Sequence, residues 1–289
     1  MCRTGGQGLI GMASRDIDLS TMIAFADRSD TGRKRPHNED RVAALPARGL
    51  AVLADGMGGH RGGEIASALA VDTVIRELTS RLPGIAMESP DDEAYTPESL
   101  LVRDVVNESN TIVYETAHTQ PQYEGMGTTL VVALFYDDRV TLAHVGDSRA
   151  YRLRDGRLDL LTRDHTLMQE LIDRGFYTPE EARASLNRNI ITRALGTEES
   201  VNADLQEEIA LPGDIYLLCS DGLNDMVDDE TIRLTLDEFG DNLEATADRL
   251  IDAANANGGQ DNVSVVLARV LRPFPTRRSW FRRFVDWFQ

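Results

Sequence analysis

Cysteine is scarce in this chain, long apolar runs are missing, and acidic residues outnumber basic ones. The 289 residues include two cysteines, Cys2 near the start and Cys219 within an apolar run. Such a pair favours free thiols, which predicts a cytoplasmic location. No window approaches the roughly 20 apolar residues of a membrane span. No apolar N-terminal stretch with a cleavage site indicates secretion.

The charge balance narrows the class of partner. Acidic residues number 48 against 30 basic ones, which gives a formal net charge of −18. Because so acidic a chain repels phosphate backbones, we expect no nucleic-acid partner. The composition, 42% apolar and 27% charged, is that of a soluble domain that can bury a full core without disulfides.

The pattern of apolar residues divides the chain into three parts. We expect a disordered extension over residues 1–20, a folded domain over 21–271 and a basic aromatic tail over 272–289. Within the domain, strands cluster in hairpins and helices come in pairs. The expected class is α+β, with antiparallel sheets packed on each other and helices outside. Strands are predicted at 23–30, 49–55, 127–158 (three strands separated by turns), 214–222 and 262–271, and helices at 64–82, 99–118, 164–195 (several short ones), 228–239 and 242–256.

Four strand-like segments each carry an aspartate at one end. Asp55, Asp147 and Asp221 follow their apolar runs, whereas Asp261 precedes its run. Because ends and starts of neighbouring antiparallel strands lie on the same edge of a sheet, these carboxylates can converge at one rim. Clustered acids repel one another strongly, and divalent cations would remove that repulsion. Carboxylate oxygens without a Cys or His cluster suit Mg²⁺ or Mn²⁺.

Two further features add to this set of acids. Glycines follow Asp55 and let the backbone approach closely, so the Gly56 carbonyl is a further candidate ligand. In "GRKRPHNEDR" (32–41), Arg35 has the planar donor fork that suits phosphate. Glu39 and Asp40 follow as extra ligands or as hydrogen-bond partners of metal-bound water.

Each piece has a plainer interpretation by itself. An aspartate-glycine pair after a strand is usually a turn, and one arginine near acids is usually a surface ion pair. Only the combination predicts a metal site. We interpret four histidines as structural or exposed rather than catalytic: His60, His118, His144 and His165.

In this combination the chain resembles the metal-dependent protein phosphatases of the phosphatase 2C class, in their bacterial Ser/Thr form. Eight motifs carry the resemblance, occur in the family's order and cover about residues 21–271. They are "RPHNED" (35–40), "LADGMGGHRGGEIAS" (53–67), "GMGTTLV" (125–131), "VGDSRAYRLRDG" (145–156), "LTRDHTL" (161–167), "ITRALG" (191–196), "LLCSDGLND" (217–225) and "GGQDNVSVV" (258–266).

The resemblance implies two catalytic metal ions, Mn²⁺ or Mg²⁺, and a third ion beside them. By this likeness Asp55 bridges the two, the Gly56 carbonyl helps bind the second, and Asp221 and Asp261 complete the first. The implied fold is a four-layer αββα sandwich: two central antiparallel sheets flanked by pairs of helices.

The remaining matched residues surround these metals. Glu39 and Asp40 match residues that act on the second metal, directly or through water. Asp147, together with Asp221, matches the third metal site, and Arg35 matches the phosphate-binding arginine. Residues 165–195 match a mobile flap beside the site.

The implied activity is hydrolysis of phosphoserine and phosphothreonine monoesters in proteins. A hydroxide bridging two cations attacks phosphorus in line with the leaving oxygen, and no phosphoenzyme forms. Animal members carry a histidine general acid two residues after the bridging aspartate, where this chain has Met57. Protonation of the leaving group then comes from metal-bound water or from another residue such as His60.

Two other functions stay open at this point: a non-catalytic relative that binds phosphoproteins, and a hydrolase of small phosphoesters. Because decayed members usually lose a ligand, the intact Asp55, Asp221, Asp261 and Arg35 disfavour the non-catalytic relative. The expected partners are phosphoprotein substrates and a cognate Ser/Thr kinase, and we expect a monomer.

The tail "RRSWFRRFVDWFQ" (277–289) is unusual in so acidic a chain. Its aromatic residues recur at helical spacing and form one apolar stripe beside four arginines. The pattern is typical of an anchor at the inner membrane surface or of a helix that docks on a partner protein. Folding back on the acidic body is the third interpretation.

Overall fold

The computed structural model describes residues 18–58, 61–85, 94–178, 181 and 190–274. Within these ranges the strands are β1 (Ile23–Asp30), β2 (Asp40–Leu45), β3 (Leu50–Met57), β4 (Gly127–Thr128), β5 (Leu130–Tyr136), β6 (Arg139–Val145), β7 (Arg149–Arg154), β8 (Arg157–Leu160), β9 (Asp204–Ile209), β10 (Ile215–Cys219) and β11 (Val263–Val270). The helices are α1 (Gly62–Arg81), α2 (Pro97–Thr119), α3 (Leu167–Asp173), α4 (Asp221–Asn224), α5 (Asp229–Phe239) and α6 (Leu243–Ala256).

Two antiparallel sheets form the centre of the molecule. One has the strand order β1-β11-β10-β7-β8, and the other has the order β2-β3-β5-β6-β9, with β4 paired to the end of β3. Short turns join β5 to β6 and β7 to β8. The predicted α+β class with antiparallel sheets is confirmed.

Alternation along β3 shows how the layers form. Leu50, Val52 and Ala54 join the core that α1 and α2 cover, whereas Ala51 and Leu53 face the other sheet. This period of two buries both faces of the strand. A third core lies between the first sheet and helices α5 and α6. Three cores between four layers give the αββα sandwich that the resemblance implies.

The structure departs from the predicted elements in two places. Strands β2 and β9 were not predicted. The sequence "DLQEEI" of β9 lacks apolar alternation because this strand is a polar edge of its sheet. In the described part of 164–195, the helical residues are those of α3 and residue 181, whose neighbours are not described. Thr166 caps α3, since its hydroxyl accepts from the Gln169 N–H at 3.2 Å.

The structure describes neither end of the chain in full. Residues 1–17 and 275–289 lie outside the described ranges, so the predicted extension and tail remain predictions. Cys219 is a free, buried thiol in β10. Among the helices of the described ranges, none combines the length and the apolar character needed to cross a bilayer.

Candidate metal centre

Two of the predicted acids lie opposite each other in one sheet. Asp40 begins β2 and pairs in register with Asp55 of β3. Strand β3 continues to Met57, so Asp55 lies inside the strand rather than after its end, a correction to the predicted boundary. The Asp55 main chain is fixed by Thr129, whose hydroxyl accepts from the Asp55 N–H at 3.0 Å and whose N–H donates to the Asp55 carbonyl at 2.8 Å.

The other sheet supplies the remaining acids. Asp221 opens α4 directly after β10, and Asp261 lies two residues before β11, which pairs with β10. Because the two strands are antiparallel, the end of one and the start of the other share an edge. Asp147 lies in the turn between β6 and β7, strands of different sheets. The two sheets therefore meet at this rim through their carboxylates.

The pKa values of these acids are raised by burial and by the charges of neighbouring acids. Burial raises the pKa of Asp55 well above its usual value, and the charges of Asp40, Asp221, Asp147 and Asp261 raise it further. Burial, followed by the charge of Asp147, does the same to the pKa of Asp221. The pKa values of Asp40 and Asp147 rise to about 6, mainly through burial. Without a cation, this cluster is repulsive at neutral pH.

Hydrogen-bond donors around the cluster are too few for its carboxylate oxygens. Within the described ranges, Oδ1 of Asp40 and Oδ1 of Asp221 are buried and meet no hydrogen-bond donor. The other oxygen of Asp40 accepts from the Ser220 hydroxyl at 2.8 Å. Buried carboxylate oxygens without donors are costly, and divalent cations would satisfy them. The residues present therefore fit hard, oxygen-bound cations.

Gly56 lies where no side chain fits. A Cβ there would lie 2.1 Å from the Gly63 carbonyl oxygen and 2.7 Å from that of Glu39. The Gly56 N–H donates to the same Glu39 carbonyl at 3.2 Å. The glycine thus lets β3, the Glu39 segment and the start of α1 meet at the rim, as the sequence predicts.

Glu39 and Arg35 lie on the open side of the cluster. A Cβ on Gly63 would lie 2.9 Å from the Glu39 carboxyl carbon, which places that side chain against the start of α1. Burial raises the pKa of Glu39. Arg35 donates from Nη2 to Asp261 Oδ2 at 2.6 Å, and its side chain is 52% exposed. Every predicted site residue is therefore at this one rim.

Several residues that hold the site were not singled out from the sequence. Ser220 bridges the sheets, since its hydroxyl donates to Asp40 and accepts from the Ser264 N–H at 3.0 Å. Asn262 accepts from the Glu39 N–H at 2.8 Å and donates to the carbonyls of Thr31 and His37. Ser220 is next to Asp221 and Asn262 is next to Asp261, and this adjacency to motif acids was the available signal in the sequence.

A second cluster of metal-ligand types lies in the described part of the chain. Single ligand atoms of His144, His165 and Asp204 lie within 4.8 Å of one another. Arg193 occupies this cluster as its cation: Nη1 lies 2.8 Å from Asp204 Oδ1 and 2.9 Å from His165 Nε2. The histidines are buried and hydrogen-bonded, which fits their predicted structural role.

Of the other two histidines singled out from the sequence, the structure describes only His118. His118 is exposed near the end of α2, where its ring contacts the Tyr114 ring and carbonyl. His60 lies outside the described ranges, so its proposed alternative role is untested. Met57, which takes the place of the animal histidine, ends β3.

Fold and rim together define a class of protein. It is an αββα sandwich whose two sheets carry carboxylates of a kind that suits divalent cations at a shared edge, with an arginine on the open side.

Comparison with known proteins gives the family. Residues 32–268 match the family model described as protein phosphatase 2C. The chain is 44% identical over 255 residues to the serine/threonine protein phosphatase PstP of Mycobacterium tuberculosis, and 37% identical over 246 residues to the serine/threonine phosphatase stp of Listeria monocytogenes. These alignments cover 88% and 83% of this chain. The chain therefore belongs to the protein phosphatase 2C family.

Solved structures agree with this assignment. The crystal structure of M. tuberculosis PstP/Ppp has a TM-score of 0.76 at 43% identity, and the match covers 87% of this chain and 100% of that one. A structure of the PstP catalytic domain in complex with two manganese ions has a TM-score of 0.72 at 42% identity, and covers 86% of this chain and 99% of that one. This chain spans about half, 46%, of the full curated PstP and 93% of the Listeria protein.

Proposed function

We propose that this chain is a metal-dependent protein phosphatase that hydrolyses phosphoserine and phosphothreonine monoesters. The observation that carries the proposal is the set of converging carboxylates with buried oxygens that lack donors. The names of the relatives, all serine/threonine phosphatases, support the same reaction.

In this proposal the acids divide between three cations, Mn²⁺ or Mg²⁺. Asp55, the Gly56 carbonyl, Asp40 and Glu39 would hold one catalytic cation, and Asp55, Asp221 and Asp261 would hold the other. Asp147 and Asp221 would hold the third. When bound, the cations supply a water of lowered pKa as the nucleophile and neutralise charge on the phosphate.

Arg35 is proposed to orient the phosphate. The bond from its Nη2 to Asp261 leaves other donors of the guanidinium fork for a phosphate, and half of the side chain is exposed. Because it lies among the ligands, a phosphate that it grips faces the metals. Because Met57 takes the place of the histidine of animal members, the proposal leaves proton donation to the leaving oxygen to water.

The deciding experiment is phosphate release from a phosphothreonine peptide with Mn²⁺ and again with excess EDTA. We expect release with metal and none with chelator. Asp261→Asn should be inactive, whereas Asp252→Asn, on an exposed position of α6, should match the wild type.

The same assay separates the alternative functions. Release from p-nitrophenyl phosphate without release from the peptide would indicate a hydrolase of small phosphoesters. Folded protein that binds Mn²⁺ and releases phosphate from neither substrate would indicate a phosphoprotein-binding relative. A cognate Ser/Thr kinase and a monomeric state complete the proposal, and sedimentation analysis tests the latter.

For the tail we propose docking of residues 277–289 at an anionic membrane surface. Aromatic residues on one helical stripe with arginines beside them support this. Co-sedimentation with anionic liposomes should pellet the full chain and leave residues 1–271 in solution. Equal pelleting of the two would remove the anchor, and a bound protein partner or the acidic body would then be the tail's contact.

A further inference from the structure

The residues on both sides of Asp147 are held by one short segment that follows β8. The Gly146 N–H donates to His165 Nδ1 at 3.0 Å, and the Gly146 carbonyl accepts from the His165 N–H at 2.9 Å. On the other side, Arg149 donates to the Asp164 carboxylate from Nε at 2.9 Å and from Nη2 at 2.7 Å. Two consecutive residues thus fix the turn that carries a candidate metal ligand.

His165 also attaches the chain on the far side of α3. Its carbonyl accepts from the Thr192 N–H at 2.8 Å, and its Nε2 lies 3.4 Å from Asp204 Oδ1. Nδ1 accepts from the Gly146 N–H, and Nε2 faces both Asp204 Oδ1 and the donor Nη1 of Arg193, which is 2.9 Å away. Burial, followed by the charges of His144 and Arg193, lowers the pKa of His165 to about 4, so the ring stays neutral.

The turn that carries Asp147 needs a restraint because like charges repel one another at the rim. Asp147 and Asp221 carry like charges at the same rim, which tends to push the turn away from α4. The turn also has little room to move towards β5, since a Cβ on Gly146 would lie 2.6 Å from Thr129 Cγ2. Gly146 has a φ of +105°, a conformation that few other residues tolerate.

We propose that His165 is a positioning residue, which through its Nδ1 bond to Gly146 holds Asp147 beside Asp221 so that the third cation can bind. The proposal rests on the function proposed above for the assignment of Asp147 as a ligand. It goes beyond that function because His165 touches neither metal nor substrate. It ties the third site to Thr192 and Arg193, because the Thr192 N–H donates to the His165 carbonyl and Arg193 Nη1 contacts the His165 ring.

Two substitutions at one position separate positioning from packing. Asn carries an acceptor, Oδ1, where His carries Nδ1, whereas Leu is of similar bulk and carries none. In the metal-free protein, residue-resolved hydrogen exchange should show the Gly146 amide exchanging about five- to tenfold faster in His165→Leu, the loss of one neutral hydrogen bond. His165→Asn should restore most of the protection.

Mn²⁺ binding gives the functional readout, with free Mn²⁺ followed by its electron paramagnetic resonance signal. In His165→Leu the dissociation constant of the weakest site should rise about five- to tenfold, while the tighter sites change little. His165→Asn should bind as the wild type does. His118→Leu, at an exposed histidine on α2, is the control and should change neither readout.

Several outcomes would overturn the proposal. Wild-type exchange of Gly146 in His165→Leu would show that the bond does not restrain the turn. Equal loss in the Asn and Leu variants, or equal weakening of all Mn²⁺ sites, would assign His165 to packing. If the wild type released no phosphate, the proposed function would fail, but exchange and Mn²⁺ titration would still decide the role of His165.

Discussion

Carboxylates at two places in this protein have opposite surroundings, one rich in hydrogen-bond donors and the other rich in acids. Glu207 of β9 accepts from the Thr96 N–H at 2.7 Å, from the Ser99 hydroxyl at 2.6 Å and from Arg139 at 3.1 Å. Burial alone would raise the pKa of Glu207, but these hydrogen bonds outweigh it and lower the pKa. At the rim, Asp55 and Asp221 have raised pKa values because acids surround them.

The difference lies in the donors that the chain places around each group. Around Glu207, hydroxyls from α2 and an arginine from β6 satisfy the charge, so the site is complete without a ligand. Around Asp55 and Asp221, like charges occupy the positions where donors would lie. A buried acid with its own donors stabilises the fold, whereas buried acids without donors require cations.

The largest expected effect follows from removing one rim charge. Asp221→Asn should slow Mn²⁺-dependent phosphate release by at least about 100-fold, because the charge stabilisation supplied by correctly held cations is lost. The metal-free variant should melt no lower than the wild type, since one repulsive charge is gone. Asp252→Asn is the control. Near-normal turnover by both Asp221→Asn and Asp261→Asn would refute the metal assignment.

The reverse pattern is expected at the satisfied acid. Glu207→Gln should lower the free energy of unfolding by about 1–2 kcal/mol, because Arg139 and the hydroxyls lose a charged acceptor. Activity per folded molecule should be unchanged. Urea unfolding measures the first and the phosphopeptide assay the second, with Glu238→Gln at an exposed position of α5 as the control. Lost activity with unchanged stability would contradict the comparison.

The smallest expected effect is a pH dependence of opposite sign for the two groups. Asp40 and Asp147 have pKa values of about 6 in the folded protein, above the usual value of about 4 for an unfolded chain. The folded state therefore binds more protons than the unfolded state, so these groups lower the free energy of unfolding as pH rises from about 4 to about 6. Glu207, with its lowered pKa, loses its contribution as pH falls.

Melting temperature against pH, in EDTA, tests this for the wild type and Asp147→Asn. The variant should show a smaller loss over that range, because one titrating group is removed. Saturating Mn²⁺ should abolish the difference in slope by favouring deprotonated ligands. Identical slopes for the two proteins in EDTA would show that Asp147 does not titrate as the cluster requires.

Sequence patterns were sufficient for most of the elements and for the acids. The apolar runs ending in Asp147 and Asp221 predict strands, and the antiparallel pairing of β10 with β11 places Asp221 and Asp261 at one edge. Strand β9 was missed because its charged residues lie at a sheet edge and form ion pairs instead of alternating with apolar ones.

Other features depend on registers that no local pattern encodes. The pairing of Asp40 with Asp55 is set where Pro46–Arg48 and Gly49 close the β2–β3 hairpin. The contact of Gly56 with Gly63 depends on how α1 lies over the end of β3. The role of Ser220 as a bridge appears only when Asp40, 180 positions away, comes within 2.8 Å.

The pairing of β1 with β11 has a consequence for synthesis of the protein. These strands, near the two ends of the described chain, are hydrogen-bonded neighbours over eight residue pairs. Asp261, just before β11, comes last among the rim acids. A growing polypeptide that has reached α6 therefore lacks both the strand that joins β1 to the rest of its sheet and one carboxylate of the rim. The rim is complete only after β11 has been made, so translation itself times the formation of the proposed metal site.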